Sequence, residues 1–160
     1  MWQGLRLGIL TLSDSRSAST DQSGQTLFQL AGQWGGEVVV RQVIPDNQSD
    51  IQQLLVDWVD RLQLDLILTT GGTGPGPRDV TPEATRAVCQ REMPGFAEQI
   101  RSSGLQQTRN ALFTRGVAAF RGTTLIVNLP GSTRGASHSL KAIADLVPHA
   151  LRMAKGGGHH

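Results

Sequence analysis

Cysteine occurs once, at Cys89, tyrosine does not occur, and lysine appears twice against thirteen arginines. A single cysteine excludes a disulfide within the chain and a Cys/His zinc cluster of the usual spacing, so a reducing compartment is permitted. Cys89 itself reads as a small buried hydrophobe rather than a nucleophile. No apolar run approaches the length of a membrane span. The apolar opening, Leu5 to Leu12, is interrupted by Arg6 and Gly8 and runs into Ser13-Asp14-Ser15-Arg16, which is unlike a signal peptide. Cytoplasm is therefore the expected location, with no membrane partner. Net charge is only +2 and aromatic residues are 4% of the chain. With no basic run and no aromatic-interleaved patch, nucleic acid is not an expected partner. Histidines 138 and 149 fall in the final third, away from the most ligand-like loop, which argues against Ser-His-Asp hydrolysis.

What is present suits an ordinary α/β domain. The chain has 160 residues, 38% hydrophobic and 18% charged, enough for one core that buries roughly two thirds of the unfolded surface. A single domain over residues 1–155 is expected, followed by a flexible tail over 156–160. The stretch from Leu64 to Thr85 organises it. Leu64, Leu66, Ile67 and Leu68 form a short apolar run suited to a buried parallel strand, and Thr69-Thr70-Gly71-Gly72 ends it. Gly71, Gly72, Gly74 and Gly76 let backbone N–H groups approach an anion closely. Thr81-Pro82-Glu83 then reads as a helix start with Thr81 as N-cap and Pro82 at the first helical position. Such a turn at the carboxyl end of a strand is where open α/β sheets bind ligands. Neither familiar nucleotide fingerprint fits. Pro77-Arg78 stands where a Walker A loop needs Lys-Ser/Thr, and Pro77 occupies the last glycine of a GxGxxG. A tight structural turn is the plain alternative, but Arg78-Asp79 supplies a cation for phosphate and a carboxylate for a divalent metal.

The remaining chain alternates strands and helices. Leu5 to Leu10 predicts a first strand, ending at Ser13 and Asp14, which serve equally as a helix cap or as ligand contacts. Leu27, Leu30, Ala31 and Trp34 lie at helical spacing. Val38 to Val40 predicts a second strand running to Ile44-Pro45-Asp46. Ser49-Asp50-Ile51-Gln52 has capping-box spacing ahead of the clearest amphipathic helix, Ile51 to Leu62. Asp46 precedes that helix in a turn, and brought to one edge with Asp79 it would make a donor pair for magnesium against phosphate oxygens. The helix after Thr81 is expected to reach Arg91-Glu92-Met93, where Pro94-Gly95 breaks it. Phe120-Arg121-Gly122 reads as a turn, and Leu125 to Val127 as a last buried strand. That strand delivers Asn128-Leu129-Pro130-Gly131-Ser132, either an Asn-turn or a set of donors and acceptors for a polar ring. A final helix, Leu140 to Leu151, is expected to kink at Pro148.

Five ordered blocks carry a family resemblance. Thr69-Thr70-Gly71-Gly72-Thr73-Gly74 with Arg78-Asp79-Val80-Thr81-Pro82, then Arg91-Glu92-Met93-Pro94-Gly95-Phe96, Leu12-Ser13-Asp14, Ile44-Pro45-Asp46 and Asn128-Leu129-Pro130-Gly131 resemble the molybdopterin-binding MogA/MoaB family. The resemblance implies a three-layer α/β/α fold on a mostly parallel sheet. It also implies molybdenum cofactor biosynthesis by adenylyl transfer from ATP to molybdopterin, with release of pyrophosphate. A non-catalytic molybdopterin carrier is the alternative. For the transferase, the resemblance makes Asp46 and Asp79 the catalytic and magnesium-holding carboxylates. Thr70, Gly71, Gly72, Thr73 and Gly74 would hold phosphate or pterin, with Ser13, Asp14, Asn128, Pro130, Gly131 and Ser132 lining the rest and Arg78 steadying negative charge. It further implies a homotrimer or higher oligomer, and a metal-insertion enzyme as the partner that receives the product.

Overall fold

The computed structural model describes residues 1–157. In chain order the elements are β1 (Arg6–Leu12), α1 (Gln22–Gln33), β2 (Glu37–Ile44), α2 (Gln48–Asp60), β3 (Leu66–Thr70), α3 (Thr81–Val88) and β4 (Arg91–Glu92). Then come α4 (Pro94–Leu105), a 3-10 turn over Arg109–Phe113, β5 (Ala118–Arg121), β6 (Thr124–Leu129), α5 (Thr133–Ile143), a 3-10 turn over Ala144–Leu146 and α6 (Val147–Ala154).

The six strands form one sheet in the order β2-β1-β3-β6-β5-β4. β2, β1, β3 and β6 pair in parallel, while β5 runs antiparallel to β6 and β4 antiparallel to β5. The sheet is thus mostly parallel, as expected. Strands β1, β3 and β6 alternate between two cores, which is why their sequences are apolar on both faces over much of their length. Leu7, Ile9, Leu66, Leu68, Leu125 and Val127 face one core with side chains of α1, α4, α5 and α6. Leu10, Leu12, Ile67 and Ile126 face the other, with α2 and α3. Gly8 interrupts β1 for a packing reason, since a methyl there would sit 2.8 Å from the Trp58 ring. Among the described residues no helix is long and apolar enough to cross a membrane.

Several local expectations are corrected. α2 begins earlier than the Ser49 capping box, with Asn47 as N-cap accepting from the Asp50 amide at 3.0 Å. Val80, not Thr81, caps α3, so Thr81 is inside the helix and its hydroxyl is free to bond elsewhere. α3 ends at Val88 rather than running to Met93, because Arg91 and Glu92 leave the helix to pair with Phe120 and Ala119. Phe120 and Arg121 are accordingly strand, and the turn lies at Gly122. Pro94 and Pro148 each stand in the first turn of a helix, where a missing N–H leaves no bond unmade. The expected C-terminal helix is two helices. Of the expected tail, the Gly156 and Gly157 amides close onto the Met153 and Arg152 carbonyls, and residues 158–160 lie outside the described residues.

Candidate functional site

Four parallel strands end at one sheet edge, and every candidate residue lies on the loops that leave it or on the last residues of the strands. Ser13 and Asp14 follow β1, Asp46 follows β2, Gly71 to Asp79 follow β3, and Pro130 to Ser132 follow β6. β1 connects outward to β2 on one side and is flanked by β3 on the other, so the rim stands where the strand order reverses and a crevice forms.

The glycine loop is held from beneath by buried polar groups. Thr70 Oγ1 donates to the Pro130 carbonyl at 2.7 Å, and the Gly71 amide donates to the Leu129 carbonyl at 3.1 Å. Thr81 Oγ1 donates to the Gly71 carbonyl at 3.0 Å, and the Thr81 amide to the Gly72 carbonyl at 3.2 Å. Gly71 and Gly72 have φ of 103° and 69°, left-handed conformations that cost a side-chain-bearing residue heavily. Space forbids one as well: a methyl on Gly71 would meet the Leu12 carbonyl, and one on Gly72 would meet Thr81 Oγ1 and lie 2.9 Å from Asp46 Oδ1. Above this support the Gly72, Thr73 and Gly74 amides find no acceptor among the described residues. Consecutive free amides in a turn form an anion cradle.

Charge gathers on the same rim. Arg78 grips Asp14 through Nε and Nη2, both at 3.1 Å, and the Asp46 amide donates to Asp14 Oδ1 at 3.0 Å. The Arg78 hydrogen bond holds the Asp14 carboxyl below the usual carboxylate range. Asp46 goes the other way: burial, then the negative charges of Asp14 and Asp79, push its carboxyl up, with Arg78 opposing. Its Oδ1 is fully buried and has no hydrogen-bond partner among the described residues. Asp79 folds over its own loop, Oδ2 accepting from the Gly76 amide at 2.9 Å. Asp46 thus leans on Gly72 and Asp79 on Gly74 and Gly76. Among the described residues no three carboxylate, imidazole or thiolate side chains converge into a metal cage of their own.

Other candidates serve the frame. Asn128 is 3% exposed. Its amide nitrogen donates to Thr69 Oγ1 and Thr85 Oγ1, each at 3.0 Å, and its oxygen accepts from the Val117 amide at 3.2 Å. The side chain expected to face a ligand ring is instead satisfied beneath the rim. Ser132 Oγ caps α5 by accepting from the Gly135 amide at 3.0 Å. Ser13 Oγ accepts from the Arg16 amide at 3.0 Å, leaving the hydroxyl proton to be directed elsewhere. Pro130 and Gly131 lie beside the glycine loop, Gly131 close enough that a methyl on it would be 3.2 Å from the Gly71 Cα. Two arginines that no motif marks also reach the site. Arg16 Nη1 donates to the Gly131 carbonyl at 3.1 Å, joining the β1 and β6 loops, and Arg115 bonds the back of the glycine loop. The polar run after β1 is a sequence signal for Arg16, whereas Arg115 has none.

Comparison with known proteins extends over nearly the whole chain. The family model described as a probable molybdopterin binding domain matches residues 8–149. The molybdopterin adenylyltransferase of Escherichia coli K12 is 39% identical over 170 residues, covering 95% of this chain and 86% of that protein. The Drosophila melanogaster molybdenum cofactor synthesis protein cinnamon is 41% identical over 154 residues, of which this chain spans 94% of its own length but 26% of the relative's. The crystal structure of the molybdopterin biosynthesis enzyme MoaB from Thermus thermophilus is similar at 45% identity and a TM-score of 0.87, covering 98% of this chain and 99% of that one.

Proposed function

The chain belongs to the probable molybdopterin binding domain family, and from that membership we propose that it is a molybdopterin adenylyltransferase of molybdenum cofactor biosynthesis. The observation that carries this reading is the pairing, on one rim, of free glycine-loop amides with Asp46, whose buried Oδ1 lacks a partner beside a second carboxylate, Asp79. A buried carboxylate oxygen left unpaired is costly, and a cation relieves that cost.

ATP and molybdopterin are the substrates. The terminal phosphate of molybdopterin attacks the α-phosphorus of ATP, a new P–O bond forms as the α–β bridge breaks, and pyrophosphate leaves. No protein nucleophile is needed, because placing two phosphates in line and neutralising their charge supplies most of the rate. The Gly72 to Gly74 amides hold phosphate oxygens. Arg78 neutralises the charge that builds on the phosphoryl oxygens, and Asp14 keeps its guanidinium turned to the rim. Asp46 and Asp79 fit magnesium, which binds through one or two carboxylates and completes its shell with water and phosphate oxygens; bound there, it would supply charge neutralisation. The reaction takes place in the cytoplasm, the chain assembles as a homotrimer or higher oligomer, and the product passes to the metal-insertion enzyme.

Purified protein mixed with molybdopterin, ATP and magnesium should release pyrophosphate in proportion to adenylylated product. Asp79→Asn should reduce that rate by at least a hundredfold while molybdopterin still binds. Tight molybdopterin binding by the parent without pyrophosphate release would replace the enzyme reading with that of a carrier.

A further inference from the structure

Arg115 lies in the irregular segment between the 3-10 turn and β5, outside every motif of the site. Its main-chain amide donates to the Thr73 carbonyl at 2.8 Å. Its Nε donates to the Gly74 carbonyl at 2.8 Å and its Nη2 to the Asp79 carbonyl at 2.7 Å. Nη1 and Nη2 also bond Glu83 Oε2 and Oε1 at 2.6 and 3.2 Å, in the first turn of α3. One residue therefore binds three carbonyls of the glycine loop and the helix that follows it.

We infer that Arg115 is a positioning residue that sets the glycine loop in its anion-binding form, an inference that rests on the adenylyl-transfer reading. In a trans peptide the N–H points opposite to the C=O. With the Thr73 and Asp79 carbonyls turned onto Arg115, the Gly74 and Val80 amides face away from it, and neither finds an acceptor among the described residues. The same bonds draw three carbonyl oxygens away from where an anion would approach. They also fix the main chain of Asp79, whose amide donates to the Gly76 carbonyl at 3.1 Å, and so set where its carboxylate stands. Four of the five guanidinium N–H groups have protein acceptors, which leaves Arg115 to act through the loop rather than on substrate. Lysine keeps the charge but lacks the planar fork that reaches the Gly74 carbonyl, the Asp79 carbonyl and Glu83 together.

The test compares the full-length parent with Arg115→Lys, Arg115→Gln and, as a control, Arg86→Gln. Arg86 shares the groove behind the loop but pairs with Glu92 at 2.8 Å and bonds no loop carbonyl. Both Arg115 variants should lose roughly a hundredfold in kcat for pyrophosphate release, the scale set by a misplacement of about 1 Å, while KM for ATP moves less. Their requirement for magnesium should rise, and Arg86→Gln should stay within about twofold of the parent. Inorganic pyrophosphate titrated with magnesium reads the loop without turnover, and both Arg115 variants should bind it at least about tenfold more weakly. A parent that binds pyrophosphate but forms no adenylylated product refutes the enzyme reading and leaves this titration to judge Arg115; a parent that binds none overturns both. Arg115→Lys retaining parental kcat and pyrophosphate affinity overturns the inference. So does a melting midpoint of either Arg115 variant below the assay temperature, which would make Arg115 a residue of folding alone.

Discussion

Replacing Gly72 with alanine separates two costs that the structure places on one residue. The first is conformational, because Gly72 has a φ of 69° and an alanine held there loses about 1–2 kcal/mol. The second is steric, because the new methyl meets Thr81 Oγ1 and lies 2.9 Å from Asp46 Oδ1. Thr81 does not give way easily, since it is fully buried and its hydroxyl is bonded to the Gly71 carbonyl. Overpacking of this kind costs about 1–3 kcal/mol. Gly122 isolates the first cost: its φ is 58° and a methyl there meets nothing within 4 Å.

Gly122→Ala should therefore lose about 1–2 kcal/mol and Gly72→Ala about 2–5 kcal/mol. For a domain of this size each kcal/mol moves the melting midpoint by about 2–4 °C. Thermal and urea denaturation of the two variants, at one pH and salt concentration, measure the difference directly. Because the methyl presses on Asp46, Gly72→Ala should also bind pyrophosphate with magnesium more weakly, while Gly122→Ala binds as the parent does. Equal midpoints for the two variants would refute the packing of Thr81 and Asp46 against Gly72.

Three further outcomes are expected. Asp46 carries a carboxyl raised above the ordinary aspartate value of 3.8, so the folded chain takes up that proton before the unfolded chain does; the penalty of the charged form is full above the folded pKa and is relieved as pH falls towards 3.8. Asp46→Asn should therefore melt higher than the parent at pH 8, with the gap narrowing through the acid range, and a gap that does not change with pH contradicts this. Asn128→Leu leaves the buried Val117 amide without its acceptor and two threonine hydroxyls without their donor, and should cost about 2–4 kcal/mol in urea; a loss under about 1 kcal/mol would show that the network relaxes. Burial pushes the Cys89 thiol up to about 11, so alkylation at pH 8 should be on the order of a hundredfold slower than for a free thiol and accelerate on unfolding.

The sheet is legible in β1, β3 and β6, where burial on both faces demands apolar stretches such as Leu66 to Leu68 and Leu125 to Val127; β5 is buried as well but is too short to separate from a turn. β4 offered no such signal. Its two residues, Arg91 and Glu92, are both exposed and are strand only because β5 lies beside them. Pro94 and Pro148 carry a local meaning that context reverses, since the residue that ends one helix also begins the next. The candidate site was readable to the extent that its parts are contiguous with strand ends, as Gly71 to Asp79 and Asp46 are. The orientation of Asn128 was not, because its chemistry suits a ligand ring and a buried network equally, and only the approach of Thr69, Thr85 and Val117 decides. Arg115 comes from a segment 36 residues beyond Asp79 in the chain, and nothing in its neighbours announces the contact.

The distribution of satisfied and unsatisfied polar groups separates frame from site more sharply than any motif does. Beneath the rim Thr70, Thr81, Thr85 and Asn128 are buried and hydrogen-bonded. At the rim Asp46 Oδ1 is the one buried side-chain nitrogen or oxygen without a partner among the described residues, and it stands beside glycine-loop amides that find no acceptor there. Unpaired buried polar groups are rare in folded proteins because each costs about 1–3 kcal/mol. With that oxygen beside unpaired amides, a cation and an anion arriving together would satisfy opposite deficits at once. Magnesium alone meets the carboxylates but not the amides, and pyrophosphate alone meets the amides but is repelled by Asp46 and Asp79. The two should therefore bind with positive coupling, each tightening the other by the same factor. Calorimetric titration of pyrophosphate with and without magnesium measures that factor, and an affinity indifferent to the metal would mean that the acidic pair and the glycine loop do not share a ligand.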